Sequence, residues 1–291
     1  MEESSKKKRP APKLSRVIYI VVLVLLIGVF LFSAGALAIY YWESSQSQQT
    51  YNQLQEIKGD YTRPPLQTDP VTDSTVGSTG STEPRNPYVT VTDPETGKEV
   101  ELLPQFAELY QLNNDLVGWI SVPGTDIDYP VVQRKETIDY YLRRDYYGKY
   151  DSHGCIYVRE VCDVNTPSDN VTIYGHRMKD NTMFGQLARY EKKSYWQENQ
   201  YIYFDTLTEF HTYQIISVFT TTASVGEGFQ YHLFVDALAP EDMQKYLANC
   251  KANAIYDTGL TAEYGDKLIT LSTCEYTHEN GRLVIVAKRI Q

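Results

Sequence analysis

From Val17 to Trp42 the chain carries no charged residue. A helix rises about 1.5 Å per residue and a bilayer core is about 30 Å thick, so this run is long enough to cross one. A cleaved signal peptide also starts with basic residues, but its apolar core usually spans only about 7 to 15 residues. The segment is therefore read as a permanent transmembrane helix. Lys6, Lys7, Lys8, Arg9, Lys13 and Arg16 precede it against only Glu2 and Glu3. That excess of basic residues predicts a cytoplasmic tail at 1–16, with Tyr40, Tyr41 and Trp42 at the outer interface and the rest of the chain outside the cell.

The overall formal charge is −10, and the N-terminal tail contributes in the opposite sense, so the body is more acidic still. An acidic body offers no basic face to phosphate, which argues against a nucleic-acid partner. Between 43 and 104 the composition turns to Ser, Thr, Gln, Asp, Gly and Pro, as in RPPLQTDPVTDSTVGSTGSTEPRNP. Such a stretch has too few apolar groups to build a core and reads as a flexible extracellular linker spanning roughly 45 Å. A short helix continuing from the membrane through Gln48 to Ile57 is left open.

The remaining residues, 105–291, are enough for one domain with its own core. In LLPQFAELYQLNNDLVGWI, the residues Phe106, Leu109, Tyr110 and Leu112 fall at helical spacings, which predicts a helix ending near Asn113 and Asn114. Short β-type segments follow: VGWISV, DYPVVQ, GCIYVR, NVTIYGH, YIYFDT, HTYQIISVFTTT, KLITLSTC and RLVIVAKRI. Each is rich in Val, Ile, Thr or Tyr, and many are bounded by Gly, Asp, Asn or Pro. Helices are expected at Thr182–Trp196 and from Pro240 to about Ala252. Many strands with few helices predict a mainly β fold, a barrel or sandwich with peripheral helices.

Four cysteines, Cys155, Cys162, Cys250 and Cys274, form an even count in an extracellular chain, but no compact spacing marks a disulfide framework. The first three are expected to be reduced core residues. No His or Cys spacing resembles a zinc site, and no metal or cofactor is expected.

Chemistry concentrates at the C-terminus. KLITLSTC and GRLVIVAKRI read as two strands of a hairpin joined by the polar loop EYTHEN. That places Cys274 at the end of one strand and Arg282 at the start of the next, on the same rim of a sheet. Only a thiolate attacks well, and a free thiol has a pKa of about 8.5, so a nucleophilic Cys274 needs a nearby base or positive charge. His176 follows a core-type strand through Gly175 and could serve as acid and base; His278, in the loop beside Cys274, competes with it. Arg282 could stabilise an oxyanion without exchanging a proton. Taken singly, Cys274 could be a core cysteine, His176 a structural histidine, and Arg282 a surface partner for Glu275 or Glu279. Residues alone also leave open a non-catalytic surface module that merely binds peptide. A papain-type peptidase is disfavoured, because there the Cys lies near the start of a helix and precedes its His.

TLSTC followed by Arg eight residues on, with YGH about a hundred residues upstream, resembles the catalytic set of the sortases of Gram-positive bacteria, and within them class B. DYPVVQ, MFGQL and the insert before KLITLSTC are similar to that class too. The resemblance implies a closed eight-stranded sortase barrel in which Cys274 is the nucleophile, His176 the acid and base, and Arg282 the binder of substrate or oxyanion. It also makes the Glu275 amide a second oxyanion donor and Ser272 a substrate contact. The implied reaction cleaves a C-terminal sorting motif of a secreted protein through a thioester. A peptidoglycan-precursor amine of the lipid II type then takes the acyl group, or a pilin lysine if the enzyme polymerises pili. The insert from about Ser224 to Tyr264, which leads into the nucleophile's strand, is expected to read the motif.

Overall fold

The computed structural model describes residues 13–61, 87–224, 226–274 and 280–291. Helix α1 (Lys13–Lys58) opens the chain, and it contains a stretch long and apolar enough to cross a membrane. The chain divides into two compact units at Gln48/Gln49, so the last turns of α1 belong with the body.

This differs from the linker expected over 43–104. Tyr51 and Leu54 are buried in the main hydrophobic core and Ile57 packs against it. Their three-residue spacing gives one apolar helix face within an otherwise polar composition. Polar contacts reinforce it: Tyr51 Oη donates to Gly154 O at 2.6 Å and Gln55 Nε2 to Asp128 O at 2.7 Å. Lys58 pairs with Asp128 at 2.9 Å and lies over the Trp119 ring, 4.3 Å from its centroid. At the other end of the expected linker, strands β1 (Val89–Thr92) and β2 (Glu99–Leu102) form an antiparallel hairpin, and Leu102 is fully buried. The middle of that stretch, 62–86, lies outside the described residues.

Helix α2 (Ala107–Leu112) follows a short 3-10 turn, and then the barrel begins. Its strands are β3 (Leu116–Ser121), β4 (Asp128–Val132), β5 (Ile156–Val158), β6 (Asn170–Tyr174), β7 (Tyr201–Thr206), β8 (Thr212–Thr222), β9 (Leu268–Cys274) and β10 (Gly281–Arg289). They close in the order β10-β8-β7-β3-β4-β5-β6-β9, the mainly β, eight-stranded barrel expected. Closure leaves the barrel without an open edge. The expected helix at 182–196 is instead a 3-10 stretch, Gly185–Glu191, followed by α3 (Lys193–Glu198). Positive φ at Asn181 and Met183 delays its start, and extended backbone at Lys192 divides it.

Helix α4 (Pro240–Asn253) begins at Pro240 as predicted. Asp242 accepts from the Leu238 and Ala239 amides at 3.0 and 3.1 Å, satisfying donors ahead of the first turn. The helix covers the outer face of β8, β9 and β10, so the outward residues of those strands are buried as well. Leu283, Ile285 and Ala287 of β10 enter the barrel core. Val284 and Val286 instead meet Met243, Tyr246 and Cys250 of α4 in a second core. On β9, Ile269 and Leu271 point inward, while Thr270 and Ser272 take the outward alternation and bond Tyr246 and Tyr231.

Candidate active site

Two ladders bring the three candidate residues together. β9 and β10 pair antiparallel with Cys274 directly opposite Arg282. β6 and β9 pair parallel, Asn170 with Leu268 through Tyr174 with Ser272. Gly175 N extends that ladder by donating to Ser272 O at 3.2 Å. Continued for two more residues, that register sets His176 against Cys274, with the parity of Tyr174 and Ser272. The parallel register therefore unites residues that lie far apart in sequence.

Cys274, His176 and Arg282 all line one groove of about 440 Å³ at this rim. All three are half-buried, so they are accessible yet partly shielded from water. Cys274 differs in this from the other three cysteines, which are buried. Burial raises the pKa of Cys155, Cys162 and Cys250, which keeps them as inert thiols.

His176 is held on two sides. Its Nε2 donates to Leu142 O at 2.7 Å; a carbonyl only accepts, so this nitrogen carries the proton and Nδ1 is left as the basic atom. Phe184 N donates to the His176 carbonyl at 2.9 Å. Gly175 is needed just before it, since a Cβ there would come within 2.5 Å of Ile156 Cδ1 and 2.7 Å of Phe184 Cδ2. Burial pushes the His176 pKa below the usual range. The charges of Arg143, His153 and Arg282 push the same way, and the hydrogen bond to Leu142 opposes them. The ring is thus biased to the neutral form, which can accept a proton.

Arg282 Nη1 donates to the carbonyls of Asn280 and Gly281 at 3.3 and 3.0 Å. Ser272 lines the groove, but its side chain is almost wholly buried and its hydroxyl shares a 2.6 Å hydrogen bond with Tyr231 Oη. Glu275 and the rival base His278 lie outside the described residues. The wall also contains residues the sequence did not single out: Tyr231 and His232 from the insert and Tyr174 from β6. Tyr174 sits within the YGH string, whereas the sequence distinguishes the insert only as a region.

The sequence matches the sortase domain family over residues 120–290. It is 33% identical to sortase B of Staphylococcus aureus over 190 residues, 65% of this chain and 75% of that protein. A solved sortase B from B. anthracis superposes with a TM-score of 0.64 at 28% identity, covering 86% of this chain and 99% of that one. The Staphylococcus aureus sortase B–substrate complex gives a TM-score of 0.60 at 33% identity, over 65% and 86% of the two chains. This chain belongs to the sortase family and is a class B sortase, a cysteine transpeptidase.

Proposed function

We propose that Cys274 attacks the carbonyl of a sorting-motif peptide to form a thioester, with His176 as acid and base and Arg282 as the charge that steadies the oxyanion. The observation that carries this reading is the convergence of the three side chains on one groove through the β6–β9 and β9–β10 registers.

The steps follow from the protonation state. Neutral His176 takes the thiol proton at Nδ1, and the thiolate adds to the carbonyl carbon. Arg282 compensates the negative charge that gathers on the oxygen; being permanently charged, it needs no proton exchange to do so. The tetrahedral adduct collapses as the imidazolium gives its proton to the departing amine. An acceptor amine then attacks the thioester, loses a proton to the same imidazole, and the acyl group leaves Cys274 in a new amide. Water competes at this second stage, which makes hydrolysis the side reaction.

The substrate would be a secreted protein with a C-terminal sorting motif, and the acceptor an amine of a peptidoglycan precursor. The insert supports a role in reading the motif, since Tyr231 and His232 reach the groove wall. The basic residues ahead of the apolar run favour a cytoplasmic N-terminus, with the barrel outside the membrane.

Intact-mass spectrometry of the full chain in detergent, after incubation with sorting-motif peptides, tests the reading. An acyl adduct on Cys274 that triglycine discharges, and that is missing in Cys274→Ala and His176→Ala, is expected. Adduct formation that survives His176→Ala but not His278→Ala would reassign the base.

A further inference from the structure

Outside the groove, one buried titratable group has two ionic partners and no role in the chemistry above. His153 is 1% exposed. Its Nδ1 lies 3.1 Å from Asp151 Oδ1 and its Nε2 3.3 Å from Asp180 Oδ2. A carboxylate only accepts, so an imidazole with a carboxylate at each nitrogen is satisfied at both ends only when both nitrogens bear protons. One positive charge then sits between two negative ones.

The two carboxylates belong to the two loops on which His176 rests. The first carries Asp151. Asp151 N donates to Arg143 O at 3.2 Å and Cys155 N to Tyr141 O at 3.0 Å, so residues 151–155 back the turn Tyr140–Arg143 that presents Leu142 O to His176 Nε2. The fit is close: Gly154 has φ +60°, and a Cβ there would come within 2.4 Å of Leu142 O. The second loop carries Asp180. Asp180 Oδ1 accepts from Thr182 N at 3.1 Å and Thr182 Oγ1 at 2.6 Å, shaping the turn that returns to His176 when Phe184 N donates to its carbonyl. One loop holds the imidazole and the other its backbone, and His153 is the link between them.

We propose that His153 is a positioning residue for the reaction, clamping the loops of Asp151 and Asp180 so that His176 keeps its ring aimed into the groove. This rests on His176 being the acid and base. The clamp also acts through space: the charge on His153 adds to those of Arg143 and Arg282 in favouring neutral His176. On His153 itself burial acts downward, but the hydrogen bonds and charges of Asp151 and Asp180 outweigh it and the net direction is upward.

The test uses the full chain in detergent and the rate of Cys274 alkylation by iodoacetamide against pH, a readout that needs no substrate. The other three cysteines are buried and silent. The wild-type profile should show an inflection from His176 that His176→Ala removes. In His153→Gln, which takes away the positive charge and leaves the two carboxylates, that inflection should move to higher pH. Asp180→Asn provides the second variant should His153→Gln not fold: turnover of an internally quenched sorting-motif peptide, the one that acylates the wild-type chain, should drop by about 10²-fold in kcat with little change in KM, the cost of a misplaced catalytic group. An unmoved inflection in folded His153→Gln, or wild-type kcat in Asp180→Asn, overturns the clamp while leaving His176 in its role. Coincident wild-type and His176→Ala profiles would instead remove the underlying assignment, and the clamp with it.

Discussion

Cys274 and Arg282 are direct partners across the β9–β10 ladder, so the sulfur and the guanidinium are placed by sheet register instead of by a flexible loop. Arg282→Lys keeps the charge but loses the broad donor array, and Arg282→Ala loses both. The expected outcome is a fall in kcat of about 10² to 10³ for Ala, with Lys in between. Steady-state kinetics on the full chain checks it, and equal rates for Lys and Arg would show that charge alone suffices.

Ser272 and Tyr231 tie β9, the strand of Cys274, to the insert by their 2.6 Å hydrogen bond. Ser272→Ala or Tyr231→Phe alone strands one buried hydroxyl, at about 1 to 3 kcal/mol each. Together they strand none, so the double variant should be destabilised by less than the sum of the two. Denaturant melts of the four proteins close the cycle; strict additivity would mean the bond contributes nothing.

Leu54 is fully buried although it lies in the helix that continues from the apolar run. Leu54→Ala should cost about 2 to 5 kcal/mol, whereas Asn52→Ala on the exposed side of the same helix should stay within about 0.5 kcal/mol. Tryptophan fluorescence melts measure both. A silent Leu54→Ala would remove Gln49–Lys58 from the folded body.

His176 and His153 give stability opposite dependences on pH. Burial depresses the His176 pKa; its share of stability is intact above the unfolded value of about 6.5 and is lost as pH falls toward the folded value. His153 has a net raised pKa; its share is intact below about 6.5 and is lost as pH rises through the folded value. The loss of melting temperature in His153→Gln should therefore be larger at acid pH than at alkaline pH. The reverse trend would mean the buried imidazole is neutral.

The barrel strands were readable because most are apolar or alternating runs ended by turn residues, and the unbroken apolar run Leu283–Ala287 of β10 signals burial on both faces. Cys274, His176 and Arg282 were nameable only as a set, since their meeting depends on a parallel pairing that no local pattern encodes. The β1–β2 hairpin escaped notice because its strands are short and largely exposed, and Tyr51 and Leu54 because averaging over a polar stretch hides a spacing of three. His153 carried no signal at all. Its partners come from its own loop and from a second loop across the fold, so its importance arises only in three dimensions.

The level at which β6 meets β9 is set by the ladder bonds between them, and the insert braces both strands, Val235 O and Phe234 O accepting from Asn170 and Tyr231 bonding Ser272. A related insert grafted in place of Ser224–Tyr264, retaining those bonds and the Met243, Tyr246 and Cys250 contacts that seat it on β8 to β10, should redirect peptide choice while the proposed catalytic set keeps its register.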